Sequence, residues 1–345
     1  MTTIEVKRDD LRTTRLAEPG AVPGEGQAAF AVERFALTSN NVTYAAHGVD
    51  MRYWDFYSTD PEWGVVPVWG FARCTASNVE GLAPGDRFYG YWPMADGAVL
   101  TPVKLTPRGF VDGAAHRREL AAVYNGYARA SDAFGNEALQ ALFRPLYVTS
   151  FLLDFACGAG GTAILSSASS KTALGLAHAL KARGGWTVVG LTSLGNVDFV
   201  EATGLYDDVS VYDEIEGLRA SGRVVFVDFA GNGEVRAAVH RQFKDALAAS
   251  IVVGDTHWEA DGAGQPLPGP RPSFFFAPTV LAERLAEWGQ AGFDAKLAEG
   301  WQGFTAAVAP WLEVVELTGL DAAATAWTRL AGGDVDPHHG LIVRP

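Results

Sequence analysis

The sequence predicts an α/β protein that combines a β-rich segment with a doubly wound parallel sheet. Three observations support this class. Residues 1–125 contain short strand-like runs separated by Gly- and Pro-rich turns. From residue 160 to residue 277, apolar strand-like runs alternate with helical segments, which is typical of a parallel sheet with helices on both faces. Residues 312–345 then add a short strand, helix and strand.

Residues 162–193 form the clearest single unit of the chain. An apolar run at 163–165 precedes a turn of small polar residues at 166–172, and apolar residues then recur at helical spacing up to residue 182. Gly184 and Gly185 end that helix, and a second apolar run follows at 186–191. This is the size of a parallel βαβ crossover.

Two interpretations of this unit stay open. Small residues at such a turn let a phosphate approach the backbone, and the helix N-terminus offers free N–H groups, so a dinucleotide site is one hypothesis. A purely structural crossover is the other, because the G-x-G-x-x-G pattern is absent and only Gly175 remains of it.

Further apolar runs at 208–212, 223–229, 250–254 and 273–277 bring the predicted parallel sheet to six strands. Helical spacing at 119–130 and 136–143 marks where the β-rich pattern ends.

Composition excludes several classes of function. The net charge of −13 argues against nucleic acid and anionic membranes as partners. Cys74 and Cys157 are the only cysteines and have no paired spacing, which argues against a disulfide framework or a structural zinc site. No signal peptide and no apolar run of about 18 residues is present, so we expect a cytoplasmic protein.

Several segments resemble, in the right order, the medium-chain dehydrogenase/reductase superfamily. They are residues 29–48, residues 65–90 with the turn Gly85-Asp86-Arg87-Phe88, residues 163–193, the run RVVFVDFAG at 223–231, and the C-terminal HGLIVRP at 339–345. The resemblance implies a GroES-like catalytic domain formed by residues 1–125 and 312–345. It also implies a Rossmann-type dinucleotide-binding domain at 126–311.

Within this superfamily the chain resembles the zinc-free quinone and enoyl reductases. It lacks the four-cysteine lobe of the zinc enzymes and has no cysteine in their N-terminal ligand region, so no metal site is expected. The resemblance implies hydride transfer from NADPH to a conjugated C=C or C=O bond of a small apolar or acyl substrate. The alternative is a dinucleotide-binding sensor or scaffold with the same fold and no turnover. The resemblance also places residues 274–276 on an edge strand, where a homodimer would form.

The cofactor candidates lie at the ends of four strands of the predicted sheet. They are Ser167, Ala168, Ser169, Lys171, Thr172, Thr192, Ser193, Asn196, Tyr212, Ala230 and Gly231. The second strand ends without the carboxylate that binds the ribose 2′-hydroxyl of NAD, and a hydroxyl and an amide stand there instead. We therefore expect NADP(H) rather than NAD(H), with Lys171 supplying charge. Ser193 and Asn196 would serve equally as caps of the next helix.

The predicted reaction centre is drawn from the β-rich segment. Asn41 and Tyr44 lie where the resembling proteins border their substrate, and a tyrosine or asparagine there could stabilise a developing oxyanion. The aromatic residues Tyr53, Trp54 and Tyr57 could line an apolar pocket. A surface loop anchored by core aromatics explains these three equally well, and Trp69 and Tyr91 are expected in the barrel core.

Overall fold

The computed structural model describes residues 1–18, 20, 22–253 and 267–345. The chain divides into two compact units. The first comprises residues 1–142 and 313–345, and the second comprises residues 143–312.

The N-terminal part of the first unit is a succession of short strands with one short helix. These elements are β1 (Thr3–Lys7), β2 (Asp10–Ala17), β3 (Ala28–Leu37), α1 (Ser39–Ala46), β4 (Trp63–Val65), β5 (Pro67–Ser77), β6 (Arg87–Pro93), β7 (Gly97–Leu100), β8 (Pro102–Thr106), β9 (Gly109–Asp112) and β10 (Gly126–Arg129). Short 3₁₀ helices lie between them at Tyr53–Phe56, Ala115–Arg117, Ala122–Asn125 and Asp132–Phe134.

The helix predicted at residues 119–130 is wrong. A single 3₁₀ turn occupies Ala122–Asn125, and β10 follows it at Gly126–Arg129. β10 pairs antiparallel with both β6 and β9, so the backbone hydrogen bonds of this segment are made in a sheet. Residues 126–142 accordingly lie in the first unit, whereas the sequence placed them in the second domain.

The second unit alternates helices and strands. α2 (Glu137–Ala156) leads into it, followed by β11 (Gly161–Leu165), α3 (Lys171–Arg183), β12 (Trp186–Thr192), α4 (Val197–Ala202), β13 (Asp208–Val211), β14 (Val224–Asp228), α5 (Gly233–Phe243), β15 (Leu247–Val252), β16 (Ser273–Phe274) and α6 (Ala277–Val308). Gly254, the last residue of the predicted fifth strand, lies outside the described residues.

The chain then returns to the first unit with β17 (Glu313–Thr318), α7 (Leu320–Ala331) and β18 (His339–Arg344). β18 pairs antiparallel with β3, which joins the C-terminal segment to the large sheet of that unit. Among the described residues this sheet has the order β17-β18-β3-β5-β6-β10-β9-β8 with β7 against β3, and β2-β1-β4 form a smaller sheet. The β-rich prediction for the first unit is therefore confirmed.

The sheet of the second unit is parallel, with the order β13-β12-β11-β14-β15-β16. Counted from β11 this is 3-2-1-4-5-6, the doubly wound order in which ligands bind where the strand order reverses, outside the carboxyl ends of the strands. The reversal lies between β11 and β14, so the residues that follow these two strands come together at that edge. The predicted six-strand parallel sheet is confirmed.

Local sequence explains both ends of α3. Ser170 is its N-cap, and the Ser170 side chain accepts a hydrogen bond from the Ala173 N–H. Gly184 adopts a φ of 77° immediately after the last helical residue. Gly175 has a packing role, because a Cβ at that position would lie 2.6 Å from the Ser150 Oγ on α2. Its small size allows the two helices to approach closely.

Candidate functional site

Ser166 and Asp228 occupy the point where the strand order reverses, and both side chains are fully buried. The Ser166 hydroxyl donates to Asp228 Oδ1 over 2.8 Å and accepts the N–H groups of Phe229 and Ala230. The other carboxylate oxygen of Asp228 accepts from the Arg236 Nε over 2.9 Å. This network links β11, β14 and α5 and fixes the turn after β14.

The predicted cofactor residues Ala230 and Gly231 belong to that turn. The N–H groups of both donate to Asp228 Oδ1 at 3.1 Å. Both backbone N–H groups are therefore already bonded within the protein. Alanine has only a methyl side chain and glycine has none, so these two positions carry no polar side chain.

Ser167 follows Ser166 in a left-handed conformation, with a φ of 49°. This region of φ is costly for a residue with a Cβ, and glycine usually occupies it. The Ser167 N–H donates to the Tyr212 hydroxyl over 2.9 Å, which stabilises the conformation. The structure thus brings together two residues that the sequence predicted separately, Ser167 of the turn and Tyr212 after β13.

Ala168 is buried, and both of its backbone groups are engaged. Its N–H donates to the Leu191 carbonyl, and its carbonyl accepts from the Tyr206 hydroxyl over 2.8 Å. Thr192, at the end of β12, is also buried. These two predicted residues shape the site and do not present polar groups to it.

Ser169, Ser193 and Asn196 form a small polar group at the carboxyl ends of β11 and β12. The Asn196 Nδ2 donates to the hydroxyls of both serines at 3.2 Å. Ser193 is exposed and the other two are partly exposed. Residues 192–196 contain no Asp or Glu, and Asp198 on α4 is the first carboxylate after the strand. We call this group the Ser-Asn-Ser triad.

Lys171 and Thr172 are the first two residues of α3, so their N–H groups have no partner within the helix. The Lys171 ammonium lies 5.6 Å from the centre of the Phe143 ring. Desolvation lowers the pKa of Lys171 to about 8. No carboxylate of the described residues pairs with it, and a cation at a helix N-terminus is opposed by the helix dipole. For both reasons, the Lys171 ammonium is suited to binding an anion.

A second group of candidate residues lies in the first unit, where tyrosines converge from four separate segments. We call it the tyrosine cluster; its members are Tyr44, Tyr53, Tyr91 and Tyr124, with Phe56 and Trp69 packed against them. Tyr44 and Tyr53 have ring centroids 4.6 Å apart, and Tyr91 and Tyr124 stack at 4.5 Å. The sequence missed Tyr124, which precedes β10 in the segment predicted to be helical.

The Tyr44 hydroxyl accepts two hydrogen bonds, from the Asn40 Nδ2 at 2.6 Å and from the Trp69 Nε1 at 3.1 Å. A phenolic oxygen has two lone pairs, and neither an amide N–H nor an indole N–H can accept. The Tyr44 proton is therefore directed elsewhere, and the Tyr124 ring packs edge-on against the Tyr44 ring with centroids 6.1 Å apart. Burial raises the pKa of Tyr44, so the hydroxyl is neutral and acts as a donor.

Asn41 has a different environment. Its Oδ1 accepts from the Thr38 N–H at 2.7 Å and from the Thr38 hydroxyl at 3.1 Å, and its Nδ2 donates to the Pro67 carbonyl. The side chain is buried. These bonds hold the first turn of α1 against β5, which positions Tyr44 on the same helix.

Of the three aromatic residues predicted as one pocket, Tyr53 and Tyr57 pack with the tyrosine cluster, whereas Trp54 lies elsewhere. Tyr53 belongs to the tyrosine cluster, and its hydroxyl is 3.3 Å from that of Tyr124. Tyr57 donates to the Tyr91 carbonyl over 2.6 Å and stacks on the Arg117 guanidinium. Trp54 is packed against Gly48 and lines a separate cavity.

Two features of the tyrosine cluster could not be found by local pattern. The Tyr91 hydroxyl is buried and has no hydrogen-bond partner among the described residues. Below the cluster, Arg117 and Asp112 form an almost fully buried ion pair at 3.1 Å. Arg117 also donates to the Tyr127 hydroxyl, so a buried charge supports the aromatic layer.

Within the described residues, no group of three or more His, Cys, Asp and Glu side chains is arranged to hold a metal ion. The helices described there are all too short or too polar to cross a bilayer.

A family model described as "Protein of unknown function (DUF2855)" matches residues 35–336. No curated protein matches the chain in sequence.

Solved structures are similar in fold. CurA from Vibrio vulnificus, crystallised with NADPH, has a TM-score of 0.63 and 14% identity, covering 100% of this chain and 99% of that one. The quinone oxidoreductase from Coxiella burnetii has a TM-score of 0.59 and 15% identity over 100% and 99% of the two chains. The yhdH oxidoreductase from Salmonella enterica, in complex with NADP, has a TM-score of 0.58 and 15% identity over 100% of both chains.

These likenesses show the fold of the medium-chain dehydrogenase/reductase superfamily, with a GroES-like part and a Rossmann part. The predicted fold class is confirmed.

Proposed function

This chain belongs to the DUF2855 family, and we propose that it is an NADPH-dependent oxidoreductase. Its reaction would transfer a hydride to a conjugated C=C or C=O bond of a small apolar or acyl substrate, without zinc. A cytoplasmic location and a homodimer remain predictions from the sequence.

The observation that carries the proposal is the Ser-Asn-Ser triad. It lies at the carboxyl edge of a sheet with the 3-2-1-4-5-6 order, where dinucleotides bind in this architecture. The Ser169 and Ser193 hydroxyls accept from Asn196 and can donate their own protons to a 2′-phosphate, whereas a carboxylate at the end of β12 would repel one. The triad therefore favours NADPH over NADH.

The start of α3 fits a phosphate in a second way. The N–H groups of Lys171 and Thr172 and the positive end of the helix dipole favour an anion there. The Lys171 ammonium adds a charge that has no carboxylate partner in the part of the chain the structure describes. The NADPH and NADP in the CurA and yhdH structures support the same cofactor class.

When bound, the nicotinamide supplies the hydride. The residues of the chain would then hold the substrate and supply a proton. Tyr44 is our candidate donor, because Asn40 and Trp69 occupy both lone pairs of its oxygen and leave only its proton to give. The Tyr124 ring packs against Tyr44 and is the more exposed of the two residues, so its hydroxyl would pass the proton outwards. The aromatic walls of the cluster suit a planar substrate.

One observation favours a second function. The N–H of Ser167, at the centre of the turn, is already bound to Tyr212, and Ser167 stands where a glycine would let a phosphate approach more closely. A protein that binds the dinucleotide without turning it over, as a sensor or scaffold, would tolerate this turn.

A consumption assay separates the two functions. Purified protein is mixed with NADPH and a panel of quinones, enones and aldehydes, and the loss of reduced nicotinamide absorbance is recorded. We expect turnover with at least one conjugated substrate. Saturable NADPH binding with no consumption across the panel would favour the sensor.

A further inference from the structure

The first unit contains an open cavity of about 580 Å³ that lies apart from the tyrosine cluster. Trp54, Ser58 and Thr59 contribute to its lining from one segment, and Ala115, His116, Arg118 and Glu119 contribute from another. Its volume lies within the range that accommodates small-molecule ligands.

Arg8, Arg52 and Arg118 all line this cavity, with Asp55 and Glu119 as the carboxylates of the lining. Both carboxylates are directed to one arginine. Asp55 is 2.8 Å from the Arg52 Nε, and Glu119 is 4.0 Å from the Arg52 Nη1. Arg52 is therefore neutralised by the protein itself.

The other two guanidinium groups have no such partner. Arg118 makes no side-chain hydrogen bond or ion pair with any residue that the structure describes. Arg8 uses its Nε to donate to the Trp63 carbonyl over 2.7 Å, which leaves its two terminal nitrogens for a ligand. The chain has 40 acidic and 27 basic residues. In so acidic a chain, two arginines that line one cavity and form no ion pair with a carboxylate of the described residues are unexpected.

Close packing fixes one wall of the cavity. A Cβ at Gly48 would lie 2.0 Å from the Trp54 Nε1, and a Cβ at Gly64 would lie 2.2 Å from the Trp54 Cε3. The Trp54 ring is thus held between two glycines, and the Arg8 guanidinium lies over that ring, 5.7 Å from its centre. Arg8 is positioned before any ligand arrives, which lowers the entropy cost of binding.

We propose that this cavity binds the carboxylate or phosphate group of a small molecule through Arg8 and Arg118. Guanidinium groups bind planar or tetrahedral oxyanions through paired N–H donors. The hydroxyls of Ser58 and Thr59 lie in the same lining and can add hydrogen bonds.

Calorimetric titration of the full chain at low ionic strength, without nucleotide, tests the proposal. Inorganic phosphate and succinate are the two probes, and the probe that binds identifies the preferred oxyanion. We expect saturable binding of at least one. Arg118→Gln should weaken it by roughly tenfold, the usual loss for a charge-assisted hydrogen bond.

Two variants control for overall charge. Arg241→Gln removes the same charge from the exposed face of α5 and should leave the affinity unchanged. Glu119→Gln removes a negative charge from the lining and should strengthen binding. Absence of saturable binding with both probes would overturn the proposal, as would equal weakening by Arg118→Gln and Arg241→Gln.

The site is independent of the proposed reductase function. NADPH affinity of Arg118→Gln should equal that of the wild type, so failure of the oxyanion titration would leave the cofactor proposal standing.

Discussion

The turn between β11 and α3 and the tyrosine cluster both contain buried polar groups, but the two regions arrange these groups differently. In the turn, buried polar groups bond to one another across strand ends, as Ser166 does with Asp228, and the Ser-Asn-Ser triad is left facing outwards. In the tyrosine cluster, hydroxyls from four separate segments meet inside a hydrophobic layer. The first region joins residues that follow successive parallel strands, with Ser166 and Asp228 62 residues apart in sequence, and it suits a recognition role. The second gathers aromatic rings from one helix, one strand and two 3₁₀ turns, and it suits proton donation.

The buried network behind the turn should give the largest single effect. Asp228→Ala would remove the buried carboxylate that accepts from Ser166, Ala230, Gly231 and Arg236, at a cost of about 3–5 kcal/mol in the free energy of unfolding. Denaturant unfolding measures this. Asp132→Ala, at an exposed carboxylate, is the matched control and should change stability by less than about 0.5 kcal/mol. A loss below about 1 kcal/mol for Asp228→Ala would mean that the network does not stabilise this edge of the sheet.

Removing the central hydroxyl of the tyrosine cluster should affect catalysis and not folding. Tyr44→Phe keeps the aromatic ring and removes the hydroxyl proton that we assign to the reaction. We therefore expect kcat to fall by about 100-fold or more. Tyr147→Phe deletes another buried hydroxyl, on α2, and should leave kcat unchanged. Undiminished turnover of Tyr44→Phe would exclude that hydroxyl as the proton donor.

The contrast between the two regions explains which features of the structure could be predicted from the sequence. The six-strand sheet and its βαβ unit depend on the periodicity of apolar residues and on the glycines that end the helix, and both could be predicted. The segment at 119–130 could not, because sheet pairing overrides its helical spacing. Tyr124 was missed for the same reason.

The pocket of Tyr53, Trp54 and Tyr57 shows a related limit. The three residues are close in sequence, but Tyr53 and Tyr57 pack with the tyrosine cluster, whereas the Trp54 ring packs against Gly48 and Gly64. The buried Arg117 lies over the rings of Phe56 and Tyr57, which are far from it in sequence. Local composition carries no signal for these contacts.

The role of the Ser-Asn-Ser triad in cofactor choice can be tested by introducing a negative charge into it. Ser193→Asp would place a carboxylate at the end of β12, which should weaken NADPH by roughly tenfold relative to NADH. Ser193→Asn is the neutral control and should affect both cofactors equally. If Ser193→Asp weakens both to the same extent, Ser193 does not lie at the 2′-phosphate.

A smaller effect concerns pH. The pKa of Lys171 is lowered to about 8, so the ammonium begins to lose its proton above that pH, and NADPH affinity should fall by up to about tenfold per pH unit. Stability has the opposite sign. The unfolded chain holds this proton more tightly, so the free energy of unfolding should rise between pH 8 and about 10.5. Lys171→Met should remove the pH dependence of both the NADPH affinity and the free energy of unfolding in this range. A pH dependence that survives in this variant would belong to another group.

The most direct test of the central claim is a calorimetric titration of the full chain with NADPH and, separately, with NADH. The Ser-Asn-Ser triad, the free start of α3 and the absence of a carboxylate after β12 predict one saturable NADPH site, with NADH weaker by roughly tenfold or more. Failure of both nucleotides to bind would contradict the dinucleotide site altogether. Tighter binding of NADH would contradict the role assigned to Ser169, Ser193 and Asn196.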